Sequence, residues 1–300
     1  MSSLEQDMNR VASTVGPDLK SYRAAILDLV AEITVHTEPL NLSKVERVLL
    51  DRFEDQELDA VVAKTPKGRT GTIRDLLFEL RRYRPGNPAC PGDLARLVRI
   101  FLTSQIDVMW WGCTRPFQTD ADVLGSQDLV DLEVLRRSRP LRFQYRCQPE
   151  TLPSRLARAV ERRIRPDRTP RTAGLRFART RPETVALLEH VSDELAQVAP
   201  ADTPPLWVTS MARSVSHQHR LRSLGYPTIL PSSHCIGYAV DIEMAWFRRF
   251  RADRALAYLL LERQDRGDAN IIDEGQVWHV CVNPAATARL RDDFDANAGV

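Results

Sequence analysis

The chain lacks the features of a secreted, membrane-spanning or disulfide-stapled protein. Its N-terminus, Met-Ser-Ser-Leu-Glu-Gln-Asp, has no basic segment, no apolar core and no small-residue cleavage site, so no secretory signal is expected. No apolar run approaches the roughly 18–20 residues that cross a bilayer, so no membrane partner is expected either. Cysteine is sparse: Cys90, Cys113, Cys147, Cys235 and Cys281 are an odd number, widely spaced and without a C-x-x-C pair. That argues against a disulfide framework and for free, mostly buried thiols in a reducing cytoplasm. Strong net charge is missing as well. At +2 the chain is neither polyanion nor polycation. Lysine is scarce beside arginine.

What is present begins with length and a core. Three hundred residues, 43% of them hydrophobic, are enough for one large or two ordinary domains. The first half reads as helical. Helical spacing of Ala25, Ile26, Leu29, Val30 and Ile33 predicts a helix over 17–35. A second begins near Asn41, with Ser43 as its N-cap. Further helices are expected at 72–82, 91–111, 127–137 and 153–163. The polar, proline-bearing stretch 165–174 reads as a linker.

After it the pattern changes. Leu175-Arg-Phe-Ala, Leu206 to Ser210, Tyr238 to Ile242 and Val277 to Val282 have strand character. Helices are expected over 182–198, 214–224, 254–264 and 285–294. The expectation is a helical domain of unknown role over 1–170 and an α+β domain over 171–300.

One segment carries chemistry: Ser232-Ser-His234-Cys-Ile-Gly237-Tyr-Ala239-Val-Asp241-Ile. Zinc prefers imidazole nitrogen and carboxylate oxygen, and a catalytic site supplies three such ligands. A histidine and an aspartate seven apart, joined by a glycine turn into an apolar strand, can converge on one ion. Asp241 stands among Ala239, Val240 and Ile242, where a lone carboxylate is costly to desolvate and needs a cation or strong donors. His279, in Trp278-His-Val-Cys-Val, reads by itself as a satisfied core histidine. Beside His234 and Asp241 it becomes the third ligand candidate.

Ser-x-His-x-x-Gly-x-Ala-x-Asp resembles the signature of the bacterial D-Ala-D-Ala carboxypeptidases and dipeptidases. These belong to a wider zinc group with the lysostaphin-type peptidases and the Hedgehog signalling domain. Trp278-His279 resembles the family's terminal Trp-His. Thr209-Ser210-Met-Ala-Arg213-Ser214-Val-Ser-His-Gln218-His-Arg-Leu221 looks like its upstream Arg-Ser element at a strand-to-helix junction, which is often followed by Gln and Leu. The resemblance covers about 175–284 and joins three separated motifs in order. It implies a Hedgehog/DD-peptidase-like α+β fold and Zn²⁺ held by His234, Asp241 and His279. It also implies a metal-activated water and Arg213 as the oxyanion's cation.

The sequence departs from the family at the general base. The peptidases carry a glutamate three residues before the last histidine, and here that residue is Gln276. An amide positions water by hydrogen bonds but takes no proton at neutral pH. Another carboxylate, Glu274, Asp273 or Glu243, would have to serve, with Glu274 the closest in sequence. Otherwise the domain binds a ligand without hydrolysing it, or performs chemistry that needs no such base. An enzyme with displaced base or altered chemistry is the leading expectation, ahead of a zinc-bearing pseudoenzyme. The expected partner is a small peptide or amide, such as a cytosolic dipeptide, a precursor or a specialised metabolite.

Other features weigh less. His217 and His219 are two apart on a helix and point to different sides. Trp110 and Trp111 read as core anchors. The arginine-rich stretch 136–181 reads as solvated helix faces plus linker, and nucleic acid is not an expected partner.

Overall fold

The first two helices begin at polar side-chain caps and bury apolar residues at helical spacing. The computed structural model describes residues 16–35, 41–84, 92–149, 151–164, 169–170, 172–225 and 230–298. Asp18 accepts the amides of Lys20 and Ser21 and starts α1 (Leu19–Thr34). Asn41, rather than the expected Ser43, caps α2 (Leu42–Arg52) by accepting from Lys44 N, because an Asx side chain one residue before the helix reaches the N3 amide. Then follow α3 (Gln56–Val62), α4 (Gly68–Arg82) and α5 (Leu94–Trp111). Tyr22, Ile26, Leu29, Ile33, Leu49, Phe53, Leu58, Leu76, Leu80 and Leu102 are buried in this part. The Tyr22 hydroxyl donates to the Leu102 carbonyl at 2.8 Å, satisfying a polar atom inside the core.

The chain forms two compact units, one of residues 1–83 and 93–109, the other of 84–92 and 110–300. The elements between 110 and the expected linker join the second unit because their strands pair there. These elements are α6 (Asp120–Gly125), β1 (Val130–Asp131), α7 (Leu132–Ser138), β2 (Gln144–Tyr145) and α8 (Leu152–Ile164). β1 pairs with β3 (Arg179–Thr180), and β2 runs parallel to β4 (Trp207–Ser210). The strand expected at Leu175 to Ala178 is reduced to a single bridge between Leu175 and Cys147.

The second unit continues with α9 (Pro182–Val198), α10 (Val215–Ser223), β5 (Ala239–Glu243), α11 (Asp253–Asp265), β6 (Ala269–Asp273), β7 (Val277–Val282) and α12 (Thr287–Ala298). Its five-stranded mixed sheet has the order β2-β4-β5-β7-β6, antiparallel except for β2 against β4.

Strand alternation assigns the two faces of the sheet. Val240 and Ile242 of β5, and Trp278, Val280 and Val282 of β7, join a core with Val185, Leu188, Leu256, Leu260 and Leu290 from α9, α11 and α12. Asp241 and His279 therefore stand on the opposite face. Among the described residues no helix is long and apolar enough to cross a membrane.

Candidate metal centre

The site is assembled by register. In the antiparallel pair β5–β7, Asp241 lies directly opposite His279, where Cβ atoms approach to about 5 Å. A slip of one residue would turn His279 into the apolar core and expose Val280 or Trp278, so burial of those side chains holds the pairing. On its other side Asp241 pairs with Ser210 of β4, next to an irregularity in that strand.

His234 comes from a short 3-10 helix, Ser233–Ile236, that ends at Gly237 with φ +83°. Glycine adopts that left-handed conformation without steric cost, and a Cβ there would come within 2.7 Å of Leu129 Cδ2. The Gly237 carbonyl accepts from the hydroxyls of Thr180 at 3.0 Å and Thr184 at 3.3 Å. The Arg181 side chain donates through Nε to the Ile236 carbonyl. The histidine turn is thereby fastened to the start of α9.

The three side chains meet at one carboxylate oxygen. Asp241 Oδ1 lies 3.1 Å from His234 Nε2 and 3.1 Å from His279 Nδ1. His234, Asp241 and His279 are all buried, and each offers a ligand atom within 4.8 Å of the others. Ligand atoms about 2.0–2.2 Å from a tetrahedral ion stand about 3.3 Å apart, so these spacings suit a shared cation.

Proton positions point the same way. His234 Nδ1 lies 2.9 Å from the Met211 carbonyl oxygen, which only accepts, so the ring donates there and its Nε2 carries a lone pair. Burial depresses the His234 pKa despite the nearby Asp241, so the neutral ring is favoured. A lone pair and a carboxylate oxygen 3.1 Å apart repel each other unless a cation lies between them. The Met211 carbonyl fixes the tautomer and orientation of the His234 ring, as an outer partner does where a histidine binds a metal. His279 Nε2 lies 3.5 Å from Ser233 Oγ.

Compared with protein-family models, curated proteins and solved structures, the chain matches none of them. Its geometry is what speaks for function. The buried His-Asp-His cluster could hold a metal ion.

Arg213 lies against the same carboxylate. Its Nη2 donates to Asp241 Oδ2 at 2.7 Å, its Nε to Ser210 Oγ at 2.8 Å and its Nη1 to Gln218 Oε1 at 3.4 Å. Its backbone amide donates to the His234 carbonyl. Burial opposes ionisation of Asp241, but the adjoining His234 ring and the Arg213 guanidinium outweigh it and hold the carboxyl well below its ordinary range.

Glu274 and Gln276 lie in the turn between β6 and β7, Glu274 half-buried and Gln276 exposed. That turn is built by Gly275, whose amide donates to Asp273 Oδ1 at 2.7 Å. Glu243 is buried at the end of β5, two residues from Asp241 and on the same strand face. Its Oε1 accepts the Trp246 amide at 3.1 Å, and burial pushes its pKa up.

The remaining candidates are structural or peripheral. His217 is half-buried, its pKa pushed down to about 4 by burial and by the charges of Arg176 and Arg213. His219 is exposed. Trp111 stacks on Tyr238 with ring centroids 3.9 Å apart and donates to the Val282 carbonyl. Cys235 and Cys281 are buried, Cys113 and Cys147 exposed, and Cys90 lies outside the described residues. Sequence reasoning missed Met211, whose contribution is a backbone carbonyl, and assigned no role to Ser210, Gln218 or Ser233. For Ser210 and Gln218 the signal was present, since they flank Arg213 in the quoted motif.

Proposed function

We propose that the chain is a zinc-dependent hydrolase of a small amide or peptide, of the D-Ala-D-Ala peptidase type, with His234, Asp241 and His279 as the metal ligands. The single observation that carries this is the buried Asp241 Oδ1 facing two imidazole nitrogens, one of them a lone pair set by the Met211 carbonyl. Two nitrogens and one oxygen suit zinc, and three protein ligands leave a position for water. Bound there, zinc supplies a water with pKa lowered toward about 7 and a Lewis acid for a carbonyl.

This chain's own residues supply the rest. Arg213 keeps Asp241 ionised and turned. Three of its five N–H groups are accounted for by Ser210, Gln218 and Asp241, and the others bring positive charge to a developing oxyanion. In place of the family's glutamate, Glu243 takes the proton of the attacking water. Its support is its burial, its raised pKa and its place on the face of β5 that carries Asp241. Glu274, in the adjoining turn, is the other carboxylate of that reading. One observation favours a second reading, a zinc-binding module without hydrolytic activity: the residue three before His279 is the amide Gln276, and it is exposed.

Metal analysis with a panel of dipeptides separates these readings. The hydrolase reading expects about one zinc per chain and zinc-dependent cleavage. It also expects Glu243→Gln to lower kcat by roughly 10²–10⁴ with zinc retained, the usual worth of a general base. Cleavage lost in Glu274→Gln instead would move the base to the turn. Bound zinc without cleavage in the parent, but with cleavage in Gln276→Glu, would establish the binding module. A chain that binds no zinc would overturn both readings.

A further inference from the structure

Helix α8 (Leu152–Ile164) is docked the wrong way round for a soluble surface helix. Its sequence, Leu-Pro-Ser-Arg-Leu-Ala-Arg-Ala-Val-Glu-Arg-Arg-Ile, separates apolar from polar residues around the helix axis. An amphipathic helix normally turns its apolar side to the protein. Here the polar side does the docking. Arg158 donates to the carbonyls of Ala173 and Thr172, and Glu161 pairs with Arg146.

The apolar residues face outward. Leu152, Leu156, Val160 and Ile164, four apart, are 73%, 67%, 54% and 70% exposed. They form one row of large aliphatic side chains along the helix, more than the scattered single apolar residues usual on a surface.

Charge says what covers that row. Within Leu152–Ile164 the sequence has four arginines against one acid, Glu161, in a chain whose total charge is only +2. A second copy of the same helix would set this positive charge against itself. Nucleic acid satisfies the arginines but has no use for a row of Leu, Val and Ile. A negatively charged lipid surface takes both: aliphatic side chains enter the acyl boundary and the helix's net positive charge is attracted to the anionic headgroups.

We propose that α8 seats the protein on anionic membrane surfaces, lying in the interface plane with Leu152, Leu156, Val160 and Ile164 inserted. This differs from a spanning segment, which the sequence excludes, and it is independent of the metal centre.

Co-sedimentation of the full chain with phosphatidylcholine vesicles, with and without phosphatidylglycerol, tests it. The chain should pellet with the anionic vesicles at least roughly tenfold more strongly than with the neutral ones, and added salt should weaken the difference. The double variant Leu156→Glu/Val160→Glu should lose that binding. Both side chains are exposed, so its thermal midpoint should equal that of the parent, which separates lost insertion from lost folding. No pelleting with anionic vesicles, or undiminished pelleting of a folded double variant, would overturn the proposal. So would a dimer on size-exclusion chromatography that the double variant makes monomeric, since the occupant would then be a second copy.

Discussion

Asp241 has two oxygens with separate duties, and the site follows from that division. Oδ1 meets His234 and His279, while Oδ2 receives Arg213. A carboxylate this deeply buried survives in ionised form only because a permanent cation lies beside it. Replacing Arg213 by methionine removes that cation and leaves the charge uncompensated. Breaking a buried pair costs about 3–5 kcal/mol. Because the Arg213 side chain is one-fifth exposed, a loss of about 2–3 kcal/mol is expected once solvent screening is allowed for. Urea unfolding in the presence of a chelator measures it. Added zinc should restore part of the loss, since a bound cation also neutralises Asp241. An Arg213→Met protein as stable as the parent would show that Asp241 does not depend on this partner.

At the scale of elements, the centre is a junction of one antiparallel strand pair and one turn. β5 and β7 set Asp241 against His279, and the 3-10 turn carries His234 to them. Gly237 ends that turn in a left-handed conformation, and its carbonyl is gripped by Thr180 and Thr184. Gly237→Ala should cost about 1–2 kcal/mol from backbone strain, with some further loss from crowding of Leu129. Because His234 lies three residues earlier, metal affinity should fall as well. Competition with a chromogenic chelator reads the affinity, and thermal unfolding reads the stability. Unchanged affinity in a destabilised Gly237→Ala protein would show that the turn supports the fold without positioning the ligand.

For the whole molecule, a metal that binds the folded state alone adds stability by mass action. Zinc at about 100 times its dissociation constant should contribute about 2.7 kcal/mol, seen as a raised thermal midpoint that a chelator reverses. His279→Ala should show no zinc-dependent rise. A zinc response that persists in that variant would place the binding elsewhere. The shift should report on the unit of residues 84–92 and 110–300, which contains all three candidate ligands.

Local pattern carried much of this protein. The 182–198 helix and the 277–282 strand were legible because long or evenly spaced apolar residues leave little choice of period. The His234, Asp241 and His279 candidates were legible because charged and imidazole groups among apolar neighbours demand a reason. Shorter elements were not: α3 and α6 span too few turns to show a period, and β6 (Ala-Asn-Ile-Ile-Asp) hides its alternation behind the buried Asn270. What only tertiary structure decided was everything that depends on pairing between distant segments. The β5–β7 register, the Met211 carbonyl at His234 and the outward row on α8 have no local sequence signal. Each is fixed by which faces find partners when the chain closes on itself, and a strand or helix pattern names its apolar side without naming what that side will meet.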